Sequence, residues 1–220
     1  MIKRTVAIIL STVLVLGMIG CSDNKEDANN DVAPIKVETR DALPGEWAKD
    51  LTRDEVSELH KEILARVEET ATFYGLEYEV IEEVKEDANG LSINDNHINI
   101  DIEDPEPNRL ESMYYGFKQY GTDLATGELV MKISSVLDKK AIEEEGVFDF
   151  GETSFSAFSE AFTGVTGRDY TELNQQIYDM ITGDNNATTI ENNLDGVRET
   201  ISITDDFLLY TLQTKEYQFK

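Results

Sequence analysis

The 220-residue chain holds a single cysteine, Cys21, placed at the end of an uncharged run. Everything after it folds without a disulfide. Once that sulfur is occupied, thiol catalysis, Cys-ligated zinc and redox switching are excluded as well. The run itself, Thr5 to Gly20, is sixteen residues long. As a helix it would reach about 24 Å, short of the ~30 Å hydrocarbon core of a bilayer. Met1-Ile2-Lys3-Arg4 in front of it is basic, and small residues close it. A basic start, a short apolar stretch and a small-residue end describe a secretory signal that is cut away.

The end of the run, Met18-Ile19-Gly20-Cys21, resembles the lipobox of bacterial lipoproteins, with Met18 where that family most often carries Leu. The resemblance implies that residues 1–20 are a signal peptide and that Cys21 is the lipid attachment point, with the new N-terminus acylated. It covers only these residues and implies nothing about the mature fold. At ~0.8 kcal/mol per buried methylene, two or three chains of the palmitate type make a stable tether. The implied location is the extracytoplasmic face of a cell membrane, away from nucleotides and nicotinamide cofactors, and no cofactor is expected. The discarded stretch VLVLGMIG (Val13–Gly20) resembles the mating pheromones that some Gram-positive bacteria release from lipoprotein signals. A pheromone precursor is therefore one alternative reading.

Net charge narrows the partners. The chain carries −26, and loss of Lys3 and Arg4 with the signal leaves the mature chain at −28. A field of that sign repels phosphate backbones and anionic headgroups, so nucleic acid is not an expected partner and the membrane is reached through the lipid alone. Ser22 to Val32, SDNKEDANNDV, is too polar to offset its ordering entropy by burial and reads as a stalk. Pro34, Pro44 and Gly45 break the stretch that follows, with Trp47 where packing begins. The organisation expected is signal peptide 1–20, lipid-anchored acidic linker 21–50 and one domain over 51–220. About 170 residues are enough for one real core.

Within that domain the spacing predicts a helix from Arg53 to Tyr74. Thr52 with Glu55 makes a capping box, and Val56, Leu59, Ile63, Val67, Ala71 and Tyr74 form its apolar stripe. Strands are expected at Glu77–Lys85, before an Asn89-Gly90 turn, and at His97–Glu103, where Ile98, Ile100 and Ile102 share a face after an NDN turn. Residues 109–134 have mixed helical and alternating spacing, and their glycines favour two strands joined through DLATGE. A short helix over Ser135–Glu145, a VFDF strand, a helix carrying Phe155, Phe158 and Phe162, and a helix with Tyr170, Leu173, Ile177 and Ile181 follow. The chain closes on a hairpin, Val197, Ile201 and Ile203 alternating in one strand and Leu208, Tyr210 and Leu212 in the other. The fold class expected is α+β, an antiparallel sheet packed with helices. RDEVSELHKEI and RDYTELNQQI, each upstream of a hairpin, allow a degenerate tandem helix-plus-hairpin repeat.

No catalytic or metal residues stand out. The two histidines, His60 and His97, have no HExxH-type spacing around them, and there is no G-x-S-x-G elbow. The NDNH, DIEDPEPN and GDNN stretches offer oxygens for calcium without the glycine of its loop pattern. GDNNATT and NNLDG read as polar turns. In the cluster Tyr114, Tyr115, Phe117 and Tyr120, alternation sends Tyr115 and Phe117 to one face and Tyr114 and Tyr120 to the other. One pair belongs to the core, and the other is open to a carbohydrate or peptide. The function expected is a non-enzymatic binding module at the envelope, taking a protein, peptide or glycan. The alternative is a carboxylate-dependent envelope hydrolase acting on glycans, which would place two carboxylates within ~10 Å in a deep pocket.

Overall fold

A computed structural model describes residues 42–86, 92–183, 189–204 and 207–219. Cys21, the polar stalk, the expected Asn89-Gly90 turn, the 184–188 part of GDNNATT and the Asp205-Asp206 link of the expected closing hairpin lie outside them. Among the described residues no helix is long and apolar enough to cross a membrane.

Helix α1 (Arg53–Phe73) starts on the predicted capping box, Thr52 taking the Glu55 N–H while the Glu55 carboxylate takes the Thr52 N–H. Val56, Ile63, Val67 and Ala71 are fully buried. The stripe is rotated from the expected one: His60 is buried in it, whereas Tyr74 lies past the helix end and is half exposed.

Strands β1 (Glu79–Glu86), β2 (Ser92–Asp101), β3 (Ser112–Tyr120) and β4 (Thr126–Val136) form one antiparallel meander. Strands β5 (Thr189–Leu194), β6 (Val197–Ile203) and β7 (Phe207–Gln213) form a second. The meanders join through their last strands, giving the order β1-β2-β3-β4-β7-β6-β5, with β8 (Tyr217–Gln218) also on β4. Between them run α2 (Lys139–Glu145), α3 (Ser154–Thr163) and α4 (Thr171–Thr182). The fold is α+β, and the described residues form an antiparallel sheet of eight strands with four helices. Each meander is preceded by a helix, α1 or α4.

Four local expectations are corrected. The 135–138 stretch completes β4 and enters α2 rather than starting a helix, because Ser135 is an inward-facing residue of the strand. VFDF is not a strand: Phe148 and Phe150 are buried from an irregular segment that ends in the 3-10 turn Phe150–Glu152. Asn94-Asp95-Asn96 is no turn but lies inside β2, paired with β3 along its length. Thr189 to Leu194 is an edge strand, polar enough on its outer face to read as loop.

Alternation sets the two faces. Ile98, Tyr115, Phe117, Met131, Ile133, Tyr210 and Ile201 point to the helices and are buried. His60 of α1 stacks on Tyr115 at 5.3 Å, and Phe162 of α3 meets the same ring edge-on at 5.7 Å. Among the described residues, the opposite face carries strand side chains such as Lys118, Lys132 and Thr211. Gly116 belongs there, where an added Cβ would lie 2.3 Å from the Tyr114 hydroxyl.

The 42–50 stretch, part of the expected linker, is tied to this body. Strands β5 and β6 join through Asp195-Gly196, both at positive φ, as a two-residue hairpin turn of Asp-Gly type requires. The 3-10 turn Glu46–Ala48 lies against it: Trp47 N–H donates to the Asp195 carbonyl at 3.0 Å, and Asn193 Nδ2 to the Pro44 carbonyl at 2.8 Å. Gly45 has φ +150°, and a Cβ there would fall 1.9 Å from the Asp195 carbonyl carbon. Gly45→Ala should therefore lower stability by about 2 kcal/mol, because the strain is limited by letting the Trp47 segment detach. A denaturation midpoint within error of wild type would refute the clamp.

Candidate functional site: a cleft above a saturated ion pair

The clamp carries Trp47 onto α3, where its ring stacks on Phe162 at 5.6 Å and 19°. Trp47, Val165, Leu194 and Tyr170 then wall a partly enclosed cleft of about 290 Å³, with Ser159, Thr163, Arg168 and Asp195 as its polar groups. That volume lies at the small end for ligand pockets, and an aromatic wall with a few convergent polar groups is their usual make-up.

Behind the cleft lies Glu199, fully buried at an inward position of β6. Arg168 reaches it with two parallel bonds, Nη1 to Oε1 at 2.5 Å and Nη2 to Oε2 at 2.8 Å. Asn192 Nδ2 donates to Oε2 and the Tyr210 hydroxyl to Oε1, both at 2.8 Å. Ser159 Oγ is 2.8 Å from that same hydroxyl oxygen. Burial acts to raise the pKa of Glu199, but the bonds from Arg168, Asn192 and Tyr210 outweigh it and hold the carboxyl below its ordinary range. Arg168 is in turn pushed up by its bonds to Glu199. The pair is closed and neutral in sum.

Tyr170 differs from these. It is 8 % exposed, its ring carries the Arg168 guanidinium at 5.1 Å, and its buried hydroxyl makes no full hydrogen bond in the protein, Ser159 acting on it only enough to offset part of the rise in its pKa. Burial moves its pKa up, so the group is a neutral donor at physiological pH.

The histidines play other parts. His60 lies between α1 and the sheet, with Nδ1 3.0 Å from the Tyr115 hydroxyl. Burial, outweighing the pull of Asp95, lowers its pKa from 6.5 to about 4, so it is neutral. His97 is on the opposite face, Nδ1 3.3 Å from Asp95 Oδ1, which also accepts from the Tyr114 hydroxyl at 2.6 Å. Among the described residues no group of three or more His, Cys, Asp or Glu is placed to hold a metal.

The aromatic cluster divides as alternation predicts. Tyr115 and Phe117 are core, and Tyr114 and Tyr120 lie on the helix-free face. There a shallow basin of about 640 Å³ runs across β3, β4, β7, β6 and β5. Several of its polar groups serve one another: Glu128 accepts from Tyr120 and Gln213, and Arg198 pairs with Glu191. The three phenylalanines of α3 are buried.

Sequence reasoning did not single out Arg168, Tyr170 or Glu199 as a site. A signal for one of them was present. In V-R-E-T-I-S-I, Glu199 occupies a slot of the apolar face, and a carboxylate there demands a buried partner. Nothing local names Arg168 as that partner, 31 residues away.

These features define an α+β domain with one helix layer and a ligand-sized cleft at the edge of that layer. Comparison with protein-family models, curated proteins and solved structures gives no match. Its function is therefore read from the site.

Proposed function

We propose that this chain is a lipid-tethered, non-enzymatic binding module on the extracytoplasmic face of the membrane, and that its ligand seats in the cleft between Trp47 and Tyr170. The observation that carries this reading is the contrast inside the cleft. Glu199 has its lone pairs filled and its proton affinity lowered, whereas Tyr170, beside an aromatic wall, keeps a donor that no full hydrogen bond occupies and that only Ser159 touches. Hydrolysis by paired carboxylates needs one of them held protonated near neutral pH, and Glu199 is driven the other way. Binding needs a shaped, partly apolar hollow with a few unmatched polar groups, and that is what lines this one.

Val165 lines the cleft and is 58 % exposed, so Val165→Trp fills the space without disturbing the core. A fragment library of sugars, amino acids, organic acids, amines and aromatics, screened by ligand-observed NMR against the full chain in detergent, should yield binders that Val165→Trp rejects. A library in which no compound distinguishes the two proteins would overturn the proposal.

The tether is tested separately. In a bacterial host fed labelled palmitate, Cys21→Ser should lose the label and keep its first twenty residues, because no other thiol is present to take a thioether. A variant that is still labelled, or still cut before position 21, would refute lipidation at Cys21.

A further inference from the structure

The geometry points to one neutral pyranose ring, the terminal sugar of an envelope glycan, as the occupant of the cleft: its apolar face lies on Trp47 and its hydroxyls meet Tyr170, Arg168 and Asp195. The inference rests on the binding role just proposed and names the ligand class.

Size and wall chemistry come first. A hollow of about 290 Å³ has room for one substituted six-membered ring and not for a folded peptide segment. One face of Trp47 is taken by Phe162, so the indole is held as a rigid wall. Sugars present C–H bonds to such a face while their edge stays polar.

Charge removes the competitors. Arg168 and Glu199 cancel, and the chain around them carries −26, so an anionic ligand gains little and meets a repulsive field. Aromatic walls would favour a cation, but the Arg168 guanidinium already lies 5.1 Å from the Tyr170 ring centre and repels a second positive charge. A wholly apolar ligand would leave the Tyr170 hydroxyl unpaired and strip water from Arg168 and Asp195. A polyol suits what is left. Its oxygens accept from Tyr170 and from the N–H donors of Arg168 beyond the two given to Glu199. Its hydroxyl protons suit the Asp195 carboxylate, whose Oδ1 also accepts the Glu46 N–H at 3.1 Å.

The test uses the full acylated chain in a polyoxyethylene detergent, which brings no sugar of its own. Saturation-transfer NMR is run with the methyl glycosides of glucose, galactose, mannose and N-acetylglucosamine, and in parallel with glucuronate, choline and indole. At least one methyl glycoside should bind the wild type, with saturation strongest on the C–H protons of one ring face, and should be lost in Val165→Trp. Tyr170→Phe should weaken it roughly fivefold, the value of one hydrogen bond. A purely structural Tyr170 would leave the glycoside Kd unchanged. Glucuronate, choline or indole as the sole cleft binder would overturn the sugar assignment and leave the binding module standing. Silence from every glycoside and from the whole library would end both. Glycoside binding that survives Val165→Trp would overturn the assignment to this cleft.

Discussion

Arg168→Met will destabilise the domain by about 3–5 kcal/mol at pH 7, because it strands a carboxylate that has no exposure to solvent. The bonds from Asn192 and Tyr210 remain, but neither brings charge. Freed of Arg168, Glu199 loses the largest of the contributions that hold its pKa down while burial still pushes it up, so its pKa rises and the deficit against wild type shrinks as the pH is lowered and Glu199 takes up a proton. In the double variant Arg168→Met/Glu199→Gln the buried charge is gone and most of the loss should be recovered. Urea denaturation followed by the fluorescence of Trp47, the only tryptophan, reports all three proteins. A single variant within about 1 kcal/mol of wild type would show that the pair is not closed as described.

The second large effect belongs to His60. Its folded pKa, about 4, lies below the value of 6.5 expected when exposed, so between these values the unfolded chain binds a proton that the folded chain refuses. Protons therefore favour unfolding. Stability is full above pH 6.5, falls as the pH drops through this window and levels off near the folded value, a total of about 3 kcal/mol. Asp95 and Glu199 are held below the ordinary carboxylate range, so their own losses set in as the unfolded carboxyls begin to protonate, below about pH 5, and overlap only the low end of the window. His60→Leu removes the titrating ring and should flatten the profile between pH 6.5 and about 5, above the range where the carboxylates contribute, whatever it does to stability at pH 7. A slope unchanged in that variant, or a histidine that titrates near 6.5 by NMR, would contradict the burial of His60.

Much of the architecture was legible because it repeats locally. The α1 capping box lies within four residues, and the strand alternation that divides Tyr115 from Tyr114 is a property of neighbours. The misreadings have the same root. VFDF carries strand-like residues but no partner strand, so its phenylalanines fill the core from a loop. β5 has a partner but a polar outer face, so its pattern was hidden. His60 is missing from the expected stripe because that stripe was placed on its apolar neighbours alone, and the ring that shelters it, Tyr115, is 55 residues away.

The sequence by itself determined the α+β class, the alternation that divides Tyr115 and Phe117 from Tyr114 and Tyr120, the absence of any cysteine after position 21 and the acidic field of the chain. Only the tertiary structure decided that Trp47, Arg168, Tyr170, Asp195 and Glu199 meet. Hydrophobic period is written every two to four residues, whereas this cleft closes through bonds such as Glu46 N–H to Asp195, across 149 residues. Which distant polar groups become neighbours follows from strand order and from the packing of one helix layer, and no local pattern encodes that choice.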